Sequence, residues 1–256
     1  MLFYRAALDL SRSARRFVAD LIRRHRHRVG SRWRRLPPDR QALLVLVHLR
    51  RNETFAALAA AFGVGAATAH RYVTEVIELL ADLAPDLRQA MRIAQRKAYV
   101  ILDGTLVATD RLSGADDRLH YSGKHRRHGM NVQFPTDPHG ELIWASPTLP
   151  GATHDLTAAR QHCIIDALTD RAIACYADKG YVSAGGAVAT PYKRKKHRKL
   201  DQRKKLFNQH HAKVPALGER GAAALKGWHI LRKARCSTSP LSTIVQAILT
   251  LHHQDR

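Results

Sequence analysis

The amino-acid sequence predicts an α/β fold, a mixed sheet with flanking helices preceded by an all-α region, on three observations. Residues 3–83 show helical periodicity almost throughout, punctuated by Gly and Pro. From Tyr99 onward, short aromatic and β-branched runs replace that period and are joined by tight polar connections. A helix-length stretch, Leu156–Leu168, then separates the third such run from a fourth, Ala172–Ala177. The expected order is three strands in an antiparallel meander, one helix, and a strand ending at Asp178.

Length and composition bound the rest. A chain of 256 residues with 45% apolar content can build one large domain and a small one. Lys and Arg number 43 against 21 Asp and Glu, a formal net charge of +22. Such an excess favours a polyanionic partner, nucleic acid first and an anionic membrane second. No window of about 18 apolar residues exists, so no segment is expected to span a bilayer. The N-terminus lacks an apolar core with a small-residue cleavage site. Its Arg-rich residues 1–35 imitate a mitochondrial transit peptide, against which Asp9 and Asp20 speak. Cys163, Cys175 and Cys236 are odd in number and far apart, forming neither a disulfide framework nor a zinc pair, as in a reducing cytoplasm.

Taken in order, residues 3–28 read as a helix, with Phe3, Leu10, Phe17 and Leu21 at near-heptad spacing among Arg12, Arg15, Arg16, Arg23 and Arg24. Either its basic face is simply solvated, or it meets DNA backbone or a second copy. Gly30–Pro38 is a basic linker containing Trp33, and Pro37-Pro38-Asp39 opens a helix through Ala42, Leu43, Leu46, Val47 and Leu49. Thr54 is placed to cap Phe55–Phe62. Gly63-Val64-Gly65 breaks that helix, and Ala66–Leu83 resumes the period through Ala69, Val73, Val76, Ile77 and Leu80. Two short helices joined by a Gly-containing turn match a helix-turn-helix, with Ala67, Thr68, His70, Arg71 and Thr74 outward where base edges are read. An ordinary helical hairpin is the alternative.

Residues 86–97 read as a link to the run Tyr99–Leu102, which has the composition of a buried strand. Asp103 then interrupts the apolar run. A lone ionised carboxylate is costly to bury without cations or donors, and Gly104 beside it leaves room for a close approach. Alone, Asp103-Gly104 reads equally well as a hairpin turn. The second strand leads out of Lys124–Arg127 to Phe134, and the third is Glu141–Ser146. Lys193–Lys199 is a basic run broken only by His197, either a solvated loop or a phosphate contact. Residues 214–235 read as a helix on which Glu219 and Lys226, seven apart, share a face, and Ser239–His252 as a final packing helix.

Three carboxylates stand out by position: Asp103 in the first strand, Asp178 ending the fourth, and Glu219 on the helix after it. Strand–strand–strand–helix–strand with this placement describes a ribonuclease-H-like sheet. Five segments in this order resemble the DDE transposases of bacterial insertion sequences, in the group similar to Harbinger transposases. They are Leu102-Asp-Gly-Thr105, His125-Arg-Arg-His-Gly-Met-Asn-Val132, Gly151-Ala-Thr-His-Asp155, Ala177-Asp-Lys-Gly-Tyr181 and Glu219-Arg220 with Lys226. The resemblance covers about residues 35–235 and implies that Asp103, Asp178 and Glu219 form a catalytic, metal-binding triad. Two Mg²⁺ ions, with Mn²⁺ able to substitute, would serve an in-line displacement at phosphorus. Asp155 is the rival for the second aspartate and, with His154 and Tyr181, a candidate supporting residue. Thr68, His70, Arg71, Arg126, Arg127, Lys193, Arg194, Lys195, Lys196, Arg220 and Lys226 are the candidate DNA contacts.

The implied organisation is a basic N-terminal helix (1–35), a helix-turn-helix region (36–84), a catalytic domain (97–235) and a C-terminal helix (236–256). The implied partners are double-stranded DNA, both element ends and target, and further copies of the chain assembled on it, with no membrane. The implied place is the nucleoid of a bacterial cytoplasm. Gly221-Ala-Ala-Ala224 departs from the bulky residue often found after Glu-Arg, so packing against the sheet is expected to differ. Two competing activities remain: a nuclease without strand transfer, and a helix-turn-helix regulator carrying an inactive nuclease-like domain.

Overall fold

The computed structural model describes residues 10–31, 34–110, 117–194, 199–236 and 238–255. The chain divides into two compact units, one from the described parts of 1–84 and 226–256, the other from 85–225. No helix among the described residues is long and apolar enough to cross a membrane.

The first unit is helical. In α1 (Arg12–Arg28) Ser11 caps the N-terminus, accepting from the Ala14 N–H. Its buried stripe is Ala14, Val18, Ala19 and Ile22, one position round from the expected one; Phe17 and Leu21 lie half-buried at its margin. Phe3 and Trp33 fall outside the described residues. Pro38 opens α2 (Pro38–Arg51), which ends at Asn52 with φ 56°. Thr54 caps α3 (Phe55–Phe62) through the Ala57 N–H, as its position predicts. Gly63, at φ +67°, ends α3 in the left-handed conformation that glycine adopts at no steric cost. The next helix, α4 (Ala66–Ala81), buries Ala69, Tyr72, Val73, Val76, Ile77 and Leu80. A C-terminal helix, Leu241–Gln254, covers α4, and its Thr250 hydroxyl donates to the Leu80 carbonyl.

The second unit begins with α5 (Leu87–Ala94), where a link is expected. Its signal is local: Asp86 and Gln89 form a reciprocal capping box. Then comes β1 (Val100–Thr109), a ten-residue strand in which Asp103 and Gly104 are mid-strand residues, so the hairpin-turn reading of that pair is wrong. A short helix α6 (Asp117–His120) and β2 (Tyr121–Ser122) lead to β3 (Arg127–Thr136), buried from Gly129 to its end. β1 and β3 are antiparallel over Ile101↔Thr136 to Ala108↔Gly129.

The expected third strand, Glu141–Ser146, is buried from Leu142 on but only loosely paired. A bridge joins Thr136 to Leu142, the Ile143 N–H donates to the Pro135 carbonyl, and the Gln133 N–H is met by the Ser146 hydroxyl. Pro135 explains the gap, because it has no N–H to return to Ile143. A two-residue β4 (Leu149–Pro150) pairs with β3 further on. The expected single helix 156–168 is two, α7 (Asp155–Gln161) and α8 (Ile164–Thr169), broken at Cys163 with φ 54°. Next, β5 (Cys175–Ala177) runs parallel to β1, and β6 (Val188–Ala189) parallel to β5. Two helices close the unit, an unanticipated α9 (Gln202–His211) and α10 (Pro215–Lys226), the latter shorter than the expected 214–235. The strand order β2-β3-β1-β5-β6 makes a mixed sheet.

One face of that sheet is set by α10. A Cβ added to Gly218 would lie 3.3 Å from Ile101 and 3.5 Å from the Asp103 Cβ, and one added to Gly221 would lie 2.5 Å from Thr136 and 2.8 Å from Phe134. Ile101, Asp103, Phe134 and Thr136 therefore face α10. Gly104 faces the other way, toward α7, since alternate strand residues point to opposite faces.

Candidate active site

The register of β1 and β5 aligns two carboxylates. Val100, Ile101 and Leu102 pair with Cys175, Tyr176 and Ala177. One step further brings Asp103 level with Asp178, and in a parallel pair residues at one level project to one face. Each aspartate spends one oxygen on a local backbone donor. Asp103 Oδ1 accepts from the Gly104 N–H and Asp178 Oδ1 from the Gly180 N–H, both at 2.7 Å, the latter capping the 3-10 turn Lys179–Tyr181. Burial pushes the Asp103 carboxyl up to about 6; the Gly104 N–H and Lys124 oppose the rise, while Asp178 and Asp155 add to it. The site therefore neutralises the Asp103 charge incompletely.

Asp155 is treated differently. It is the first residue of α7 and is buried, yet it caps nothing: His154 holds the cap position, exposed and without a side-chain cap bond. Its carboxylate instead accepts from Lys124 Nζ at 2.8 Å, Asn131 Nδ2 at 2.9 Å and Gln133 Nε2 at 3.3 Å. Burial pushes Asp155 up, but Lys124, Asn131 and Gln133 outweigh it and hold the group below the usual carboxylate range. Lys124 answers in kind. Burial lowers it, and its bond to Asp155 with the charges of Asp155, Asp178 and Asp103 lifts it above its ordinary value.

Gly104 admits this network, because a Cβ there would lie 2.6 Å from Asp155 Oδ1 and 2.5 Å from Gln133 Nε2. Beneath it, the fully buried Tyr181 donates its hydroxyl to Gln133 Oε1. Burial and the charges of Asp155, Asp103 and Asp178 raise that phenol well above its usual range, so it stays a donor.

Glu219 lies one residue past Gly218 on the exposed side of α10, and the main charges on Asp103 are Asp178, Lys124 and Asp155 rather than Glu219. Among the described residues, no group of three or more His, Cys, Asp or Glu side chains is gathered to hold a metal ion. The pair Asp103–Asp178 nonetheless fits an oxygen-preferring divalent cation: two hard donors abreast, with negative charge left over. Arg220 donates to the His139 carbonyl at 3.2 Å, and Lys226, half-buried, ends α10.

The remaining sequence-predicted residues sit on surfaces. On α4, Ala67, His70, Arg71 and Thr74 are exposed along one face and Thr68 is half-buried beside them. His70 is steadied edge-on by Phe55, which stacks on His48. Arg126, Arg127, Lys193 and Arg194 are exposed, whereas Lys195 and Lys196 lie outside the described residues. Sequence reasoning missed Lys124, Asn131 and Gln133 as site residues. Asn131 and Gln133, two polar side chains at alternate positions of an apolar strand, were the available signal; Lys124 had none beyond its charge.

A family profile described as DDE superfamily endonuclease matches residues 102–253, more than half of the chain. A second, described as the helix-turn-helix of DDE superfamily endonuclease, matches residues 34–86. No curated relative and no solved structure matches the chain.

Proposed function

Since the chain belongs to the DDE superfamily endonucleases, we propose that it is a transposase that binds element-end DNA and performs metal-dependent phosphodiester cleavage and strand transfer at Asp103 and Asp178. The observation that carries this reading is the level placement of those two carboxylates on adjacent parallel strands, one of them with its pKa raised to about 6. The sheet order and the mixed strand directions support a ribonuclease-H-like arrangement around them.

A divalent cation, Mg²⁺ or in its place Mn²⁺, supplies activation of an attacking oxygen and stabilisation of the leaving one. The chain supplies the rest. Asp103 and Asp178 would hold the cation, and Glu219, beside the residue that packs on Asp103, would be the third ligand in this reading. The resemblance implies two such ions, which would serve the attacking and the leaving oxygen. Lys124 keeps Asp155 ionised and fixed, and Asp155 with Gln133 and Tyr181 braces the floor beneath Gly104. The exposed face of α4 reads end sequences, and the surplus positive charge holds DNA backbone, element end and target alike, with further copies of the chain joining on the DNA in the bacterial nucleoid. Replacing Arg71 by Ala is expected to cost roughly 1–3 kcal/mol of discrimination between end and random duplexes. Equal weakening on both would make Arg71 a phosphate contact.

The exposed position of Glu219 favours one second reading, a helix-turn-helix regulator with an inactive nuclease-like domain. Single-turnover assays on labelled end duplex separate the two. A transposase nicks in Mg²⁺ or Mn²⁺, stops with chelator and joins the cut end to added target. Specific binding without nicking in either metal would leave the regulator.

A further inference from the structure

A series of rings in the 85–225 unit has no part in the carboxylate site. It runs from Tyr99 to Tyr176 of β5 with centroids 5.2 Å apart, to His211 of α9 at 5.7 Å, to Phe207 at 5.5 Å and to Tyr192 at 5.3 Å. Its inner members are buried or half-buried, and Tyr192 at the outer end is 47% exposed. The backbone of Tyr192 is clamped. The Asn208 side-chain amide accepts from its N–H at 2.9 Å and donates to its carbonyl at 3.0 Å. Lys204 Nζ stands 5.8 Å from the ring centroid, tethered by Asp201 at 2.7 Å. Lys193, Arg194, Arg203 and Lys205 are exposed on the same two segments.

A ring whose only task was to cover Phe207 would be buried by it. Tyr192 instead has a clamped backbone and a half-exposed ring among cations, a combination that suits nucleic-acid strands: π-faces for bases and positive charge for phosphates. Within a duplex the base faces are hidden, so away from its ends such a ring meets only a base that has left the stack. We propose that Tyr192 is a stacking platform for an unpaired base of a DNA strand, with the α9 cations taking the neighbouring phosphates. The proposal rests on the DNA reading above and adds a site to it. Tyr176 lies two residues before Asp178, on the same strand face, so the ring series leads from the platform toward the carboxylate pair.

The test compares the full chain on a blunt duplex and on the same duplex with a short single-stranded extension carrying 2-aminopurine. The extended duplex is expected to bind roughly tenfold tighter, with the fluorescence quenched on binding. Tyr192→Ala should abolish both the preference and the quenching while leaving blunt-duplex affinity unchanged. Tyr192→Phe, which keeps the ring and its packing, should retain both. Equal wild-type affinity for the two DNAs, or a preference that survives Tyr192→Ala, overturns the platform and leaves the DNA reading standing. Failure to bind either DNA overturns both.

Discussion

On the α10 face of β1, Asp103 has one hydrogen bond among the described residues, from its neighbour's N–H, with Asp178 and Asp155 as like charges and Lys124 opposing them. On the α7 face, across Gly104, Asp155 has an ammonium and two side-chain amides. Asp103 is half-buried and Asp155 buried, yet the first is pushed up and the second held down. The difference is one of donors. A carboxylate whose acceptors are filled by the fold is positioned for structure. One with fewer donors is, in the proposed reading, the one that would take up a cation.

The largest test of that contrast is chemical. Asp103→Asn and Asp178→Asn are each expected to slow single-turnover, Mg²⁺-dependent cleavage of end DNA by several orders of magnitude, and Asp155→Asn by much less. A dead Asp155→Asn beside a nearly normal Asp178→Asn would reverse the assignment.

Stability against pH should separate the two faces by sign. The folded Asp103 carboxyl, at about 6, stands above its ordinary 3.8. Its contribution to stability is thus fully present below the ordinary value and is lost as pH rises through the folded one. In metal-free buffer Asp103→Asn should gain up to roughly 3 kcal/mol over wild type at pH 7 and nothing near pH 3. Asp155 is held below its ordinary value, so its contribution is present above that value and is lost as pH falls through the folded one. Asp155→Asn should lose roughly 1–3 kcal/mol at pH 7, a deficit that shrinks in acid. Urea titrations at several pH values read both, and slopes of the same sign would dissolve the contrast.

Gly104→Ala drives a methyl group into Asp155 and Gln133 and should cost roughly 1–3 kcal/mol of folding stability. Paired with Asp155→Ala, the loss should fall short of the sum of the two single losses. Additive losses would mean that the methyl finds room elsewhere. The smallest expected effect is the stabilisation of the folded chain by Mg²⁺, about 1.4 kcal/mol at ten times its dissociation constant. Wild type and Asp155→Asn should show it in thermal melts, and Asp103→Asn should not. Equal gains in all three would place the ion elsewhere.

What was legible in the sequence follows how local each cause is. The strand of Asp103 announced itself through Tyr99–Leu102, and the helix-turn-helix through Thr54 and Gly63. The capping box of α5 is equally local, at Asp86 and Gln89, but spans too few residues to set a helical period. The Asp103-Gly104 pair was ambiguous because a turn and a close approach ask for the same two residues. The pairing of β1 with β3 decides between them, and the arrival of Asp155 from α7 shows what approaches Gly104. The third strand failed at Pro135, on the neighbouring strand, and α9 carries too little apolar period among its Lys, Arg and His residues to declare itself. Lys124 reaches Asp155 across 31 positions, a distance no spacing rule covers.

Gly104 also sets how this stretch responds to random change. At codon 103 a neutral isostere is expected to keep the fold while removing the charge that the proposed chemistry would use. At codon 104 the smallest possible side chain already meets Asp155 and Gln133. A screen for soluble expression would tolerate substitution at the first of these adjacent codons and reject it at the second. A screen for DNA cleavage is expected to reject both, so the difference between the two screens at codon 103 tests the role proposed for its carboxylate.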